Sequence, residues 1–126
     1  MIVGGDFAHP EAEGYAVLVP QLRTPASRPS FVISTTLPHG FRSAVAYDAA
    51  SETWITVGPN GTDISTDDGR NWRALRPNPA LHEPADADQH WNALSLPFVV
   101  GTHGRIGKLR AGALTAALAT PLPLKP

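Results

Sequence analysis

Residues 65–72 read Ser-Thr-Asp-Asp-Gly-Arg-Asn-Trp, placing Ser, Asp, Gly and Trp at offsets of 0, 2, 4 and 7. A run this polar cannot be a core strand, and its Asp-Gly pair is a strong turn signal. A hairpin turn reverses the backbone and leaves N–H groups without strand partners. Asp67 can accept from them, as Asx turns do. Gly69 supplies the positive φ that a side chain resists, and Ser65 can tie the start of the turn to its own backbone. Trp72 opens the outgoing strand and can lay apolar surface across the base of the turn, worth about 2–3 kcal/mol of burial. Folding alone accounts for all four residues, so the chain is built around tight reversals between short strands.

The flanking segments agree. Ser43–Tyr47, Thr53–Val57, Asp63–Ser65 and Trp72–Leu75 are short apolar or alternating bursts divided by turn residues. They predict a four-stranded antiparallel meander. Part of the pattern returns in Trp91–Leu96, Phe98–Gly101 and Ile106–Leu109, and near the start in Ile2–Gly5 and Gly14–Val19. A Val-Gly ending recurs at Gly4, Gly58 and Gly101, at uneven steps near the roughly 40–50 residues of one propeller blade. Thirteen Pro and eleven Gly in 126 residues also favour many short strands over helices. The expected fold is therefore all-β: a partial β-propeller of about two and a half four-stranded antiparallel blades. Its expected divisions are an incomplete blade with a Pro-rich loop (1–35), a complete blade (36–76), an inter-blade loop (77–90), an incomplete last blade (91–110) and a tail (111–126). Residues 21–30 read as loop, and the tail as a short helix to Ala119.

Here the chain resembles a known family. Ser65-x-Asp67-x-Gly69-x-x-Trp72 is similar to the Asp-box of bacterial neuraminidase (BNR) repeats, found between the third and fourth strands of propeller blades. Asn71 stands where a Thr is common. More widely, GFRSAVAYDAASETWITVGPNGTDISTDDGRNW and WNALSLPFVVGTHGRIGKL resemble the BNR-like propellers related to photosystem II stability and assembly factors. The likeness covers residues 40–110 well and 1–20 loosely. It implies a structural Asp-box lying away from the ligand-binding face, and a non-catalytic segment that binds or assembles proteins. Because sialidases share the Asp-box, it also implies an alternative, a remnant of a sialidase-type glycoside hydrolase, or an inactive fragment.

The residues give that alternative little. Such enzymes grip a substrate carboxylate with three arginines and use a Tyr/Glu nucleophilic pair with an acidic Asp. Arg42, Arg70, Arg73, Arg76 and Arg105 are present, but Arg70 and Arg73 belong to the turn and its outgoing strand. Tyr15 and Tyr47 are the only tyrosines, Tyr47 reads as a packing residue, and Glu52 sits in a hairpin turn. No Gly-x-Ser-x-Gly turn supports a Ser-His-Asp triad. Gly101–Gly104 reads as a hairpin rather than a phosphate loop, and Asn60-Gly-Thr62 as a turn rather than a glycosylation acceptor. No catalytic residue and no cofactor is expected.

Two further groups stand out. His82, Asp86, Asp88 and His90 gather nitrogen and oxygen ligands within nine residues, but without standard metal spacing. A solvated loop is the plainer reading, and no metal is expected. Arg42 and Arg105 lie near strand ends, where they could join a partner face or merely be exposed turn charges.

The net charge of −1 gives no field to gather nucleic acid or hold an anionic membrane. There are no cysteines, which excludes disulfides and thiolate metal sites. No signal-peptide pattern follows Met1, and Ala111–Leu124 is too short and interrupted to span a bilayer. The compartment is left open. Propellers close into rings of about four to eight blades, so this chain is expected to need further blades. They come either from a longer polypeptide, the preferred reading, or from self-assembly. The expected partner is protein.

Overall fold

The computed structural model describes residues 1–20, 28 and 30–115. It is all-β, with three antiparallel sheets among the described residues, none of them closed. Sheet 1 is ordered β1-β2-β3, from β1 (Ile2–Gly4), β2 (Tyr15–Leu18) and β3 (Val32–Ile33). Sheet 2 is the meander β4 (Ala44–Asp48), β5 (Thr53–Gly58), β6 (Gly61–Ser65) and β7 (Arg73–Ala74). Sheet 3 is a second meander, β8 (Trp91–Ser95), β9 (Phe98–Gly101) and β10 (Ile106–Lys108). The strands expected around residues 43–75 and 91–109 thus form within a residue or two, whereas β3 was not expected.

Turn chemistry fixes the registers. Asp48 pairs with Thr53, and the Asp48 carboxylate accepts from Ser51 N–H at 3.1 Å inside that turn. Gly58 pairs with Gly61 around Pro59-Asn60. Ser95 pairs with Phe98 around a cis Leu96–Pro97 bond, the arrangement of a type VI turn.

The Val-Gly endings mark equivalent strands. A Cβ on Gly58 would lie 2.1 Å from Phe41 O, and one on Gly101 would lie 1.9 Å from His90 O. In both cases the glycine ends a second strand and admits the backbone leading into the first, β4 or β8. Gly4 ends β1 in the same sequence context but has nothing within 4 Å of such a Cβ, so the close approach is shared by β5 and β9 and not by β1.

Alternation along the strands assigns the faces. Ile55, Val57, Thr62 and Ile64 of sheet 2 are buried and turn toward Leu94 and Val99 of sheet 3. The hydrophobic core lies there, with Ile55, Ile64 and Leu114 buried and Leu75, Leu94, Leu96 and Leu109 packed around them. The opposite face of sheet 2 carries Thr56 and Asp63, both fully buried. Ala16, also fully buried, turns from sheet 1 toward it. The segment 76–90 crosses from sheet 2 to sheet 3 with one short 3-10 turn, Pro79–Leu81, capped by Asn78. Most of the loop expected at 21–30 and of the helix expected to Ala119 lies outside the described residues.

Candidate functional site

The turn of residues 65–72 lies between β6 and β7, the third and fourth strands of sheet 2. Ser65 Oγ donates to Asp67 Oδ1 at 2.8 Å and accepts from Gly69 N–H at 2.9 Å. Asp67 Oδ1 also accepts from Asn71 N–H at 2.9 Å. Asp68 and Gly69 take φ of 57° and 76°, the left-handed conformation that Gly adopts without strain. Burial alone would raise the pKa of Asp67. The hydrogen bonds from the Asn71 side chain and backbone and from Ser65 outweigh it, and hold the carboxyl below its ordinary value.

This turn reaches across to sheet 1. Trp72 is 2% exposed, and its Nε1–H donates to Ser34 Oγ at 3.1 Å. The Ser34 hydroxyl has both Gly69 O and Ala16 O within donating distance. Arg70 O accepts from Thr35 N–H at 2.7 Å, and Trp72 N–H donates to Thr36 O at 3.1 Å. Asn71 Nδ2 donates to Asp67 Oδ2, while its Oδ1 accepts from Thr36 Oγ1, each at 2.8 Å. The Asn where a Thr is common thus bridges the turn to the neighbouring sheet.

Arg42 is not at a partner face. It is 2% exposed and sits against Asp63, which is fully buried. Arg42 Nε donates to Asp63 Oδ2 at 2.8 Å, and Nη1 donates to Asn60 Oδ1 at 3.0 Å. His39 N–H donates to Asp63 Oδ2 at 3.0 Å, and His39 Nδ1 lies 2.6 Å from Asp63 Oδ1. A buried guanidinium needs such a partner, and Asp63, in mid-strand, supplies it. Neither the exposed-charge reading nor the docking reading of Arg42 holds. The network clamps the segment Pro38–Arg42, which links sheet 1 to sheet 2.

Arg105 is more open. Its guanidinium lies 4.6 Å from the Trp91 ring centroid and donates from Nη1 to Asp86 Oδ2 at 3.1 Å and from Nη2 to Asp86 O at 2.8 Å. The hydrogen bond from Arg105, helped by its charge, lowers the Asp86 pKa against a smaller effect of burial. Asp88 is buried, with Arg76 Nη1 at 3.4 Å. Its backbone carbonyl accepts from Thr62 Oγ1 at 2.8 Å. The segment 82–90 therefore does not converge on a centre: Asp86 and Asp88 turn to different arginines. Among the described residues no group of three His, Asp or Glu is placed to hold a metal.

A cavity of about 480 Å³ opens between sheets 2 and 3, walled by Val57, Leu75, Trp91, Leu94 and Val99, with Arg76 and Arg110 among its charged neighbours. Glu83 at its margin is held by Arg110 Nε at 2.7 Å, which keeps the Glu83 carboxyl below its ordinary pKa. Tyr47 packs on Trp54, ring centroids 4.9 Å apart, and Glu52 occupies its hairpin turn at φ 50°.

Fold and geometry together define an all-β protein of successive antiparallel sheets, cross-linked by a polar turn that carries a buried Trp. No protein-family model, curated protein or solved structure matches this chain. No helix among the described residues is long and apolar enough to cross a membrane.

Proposed function

We propose that the chain is a non-catalytic segment of a BNR-like, Asp-box β-propeller that serves as a protein-binding or assembly scaffold. The observation that carries this reading is the turn of residues 65–72. It sits between the third and fourth strands of a four-stranded meander and spends its hydrogen bonds and its Trp on the adjoining sheet, as a structural Asp-box does. The neighbouring polar groups support a scaffold in the same way. Asp63 is committed to Arg42 and His39, Asp67 to Asn71, Asp86 to Arg105 and Glu83 to Arg110. Repeated sheets, joined by such clamps, make a rigid body that holds loops in fixed relation.

The competing reading is a glycoside hydrolase remnant, and turnover separates the two. Assayed with fluorogenic sialosides and hexosides, the chain is expected to give the rate of buffer alone. Turnover abolished by substituting a single carboxylate would overturn the proposal.

A further inference from the structure

The sheets repeat a mode of packing, and the repeat shows what the outermost faces are shaped to meet. Aligning the Val-Gly endings makes Ile55, Val57, Thr62 and Ile64 of sheet 2 equivalent to Phe98, Val100, Ile106 and Lys108 of sheet 3. In sheet 2 this forward face is 0–6% exposed, because sheet 3 covers it. In sheet 3 the same face lies open, with Phe98 52%, Val100 44% and Ile106 74% exposed. Sheet 1 is the converse. Its forward face, around Ala16, is buried toward sheet 2, while the backward face leaves Ile2 59%, Tyr15 62% and Ile33 68% exposed. Scattered apolar side chains on a surface are ordinary, but contiguous ones on one sheet face mark an interface.

Inside the chain a forward face meets a backward face twice, at sheets 1 and 2 and again at sheets 2 and 3. Like faces never meet. We infer that the forward face of sheet 3 docks on the backward face of sheet 1 of a second copy of this chain, continuing the internal stacking head to tail. Such an interface is heterologous: each copy uses two different surfaces, and the assembly closes into a ring if the rotation allows. The inference rests on the repeated packing and not on the scaffold reading. A chain that stacked in this way and also hydrolysed glycosides would keep this inference and lose the other.

Two variants test it. Ile106→Glu places a charge on the forward face, and Tyr15→Glu places one on the backward face. Both side chains are more than half exposed, so the fold should survive, as circular dichroism can verify. In analytical ultracentrifugation the wild-type chain is expected to sediment above its 13.4 kDa monomer mass, increasingly so with concentration. Each variant alone should be monomeric. Their mixture should give a 1:1 pair of twice the monomer mass and nothing larger, because it holds one intact forward face and one intact backward face. A monomeric wild type, self-association of either variant alone, or a mixture that stays monomeric would each overturn the inference. A mixture that grows beyond the pair would do the same.

Discussion

Replacing Asp63 with Ala is the sharpest test of what holds sheets 1 and 2 together. Asp63 is fully buried and receives Arg42 Nε, Arg42 Nη2 and the His39 backbone N–H. Its loss leaves a guanidinium, itself 2% exposed, with acceptors only for its remaining N–H groups, Phe41 O, His39 O and Asn60 Oδ1. Breaking a buried pair from one side costs about 3–5 kcal/mol, because the remaining charge stays out of water. A domain is stable by only about 5–15 kcal/mol, so Asp63→Ala should consume much of that margin. With a urea m-value near 1.5 kcal/mol/M, the midpoint should fall by roughly 2–3 M. Asp63→Asn keeps an acceptor for Arg42 and removes the charge, and should cost about 1.5–3 kcal/mol, the worth of a hydrogen bond to a charged group. The double variant Arg42→Met/Asp63→Leu removes both charges together, and should be more stable than Asp63→Ala alone. The assay is urea unfolding followed by tryptophan fluorescence and circular dichroism. A loss below about 1 kcal/mol for Asp63→Ala, or a double variant as unstable as the sum of its single changes, would refute the argument.

The tryptophan of the polar turn offers a second measurement. Trp72→Ala should destabilise by about 3–5 kcal/mol through loss of a large buried side chain. Trp72→Phe should cost less but leave the Ser34 hydroxyl without its donor, which the same unfolding assay can resolve. A third concerns acid. The carboxyl of Asp67 has a native pKa below its unfolded value of 3.8, so the native state holds fewer protons than the unfolded chain near that pH. Its contribution is therefore complete above about pH 4 and disappears as pH falls through the native pKa. Thermal melts of wild type and Asp67→Ala between pH 6 and 2 should differ most at the upper end and converge at the lower. An unchanging gap would exclude this role for the carboxylate.

How far these features could be read in advance depended on whether their causes were local. Strands β4 to β6 announce themselves through β-branched residues, alternation and Gly or Asp at the reversals, all within a few positions of one another. β3 has only two residues, Val32–Ile33, and follows a Pro-rich stretch, so its pairing with β2 has no local signature. Arg42 looks like a turn charge because it follows Pro38-His39-Gly40-Phe41 and precedes Ser43. Its partner Asp63 lies 21 residues away in a different strand. The signal was present on the other side: Asp is depleted in strands, and one embedded between Thr62 and Ile64 asks for a buried cation. Asn71 likewise looks like a small departure from a common Thr, until Thr36 is seen 35 residues away on the other side of its amide. Arg105 was legible only as a charge near a strand end. The Trp91 ring beneath it opens β8 and is brought alongside only by the pairing of Trp91 with Gly101 across the hairpin.

The two inter-sheet junctions differ in how they would respond to their surroundings. Sheet 1 is fastened to sheet 2 by directional bonds through Ser34, Thr36, Asn71 and Arg42. Sheet 3 leans on sheet 2 chiefly through aliphatic side chains, with Ser43 Oγ donating to Trp91 O as a polar link. Cooling weakens apolar association. Cold should therefore loosen the junction of sheets 2 and 3 first, leaving sheets 1 and 2 joined as the smaller unit that persists.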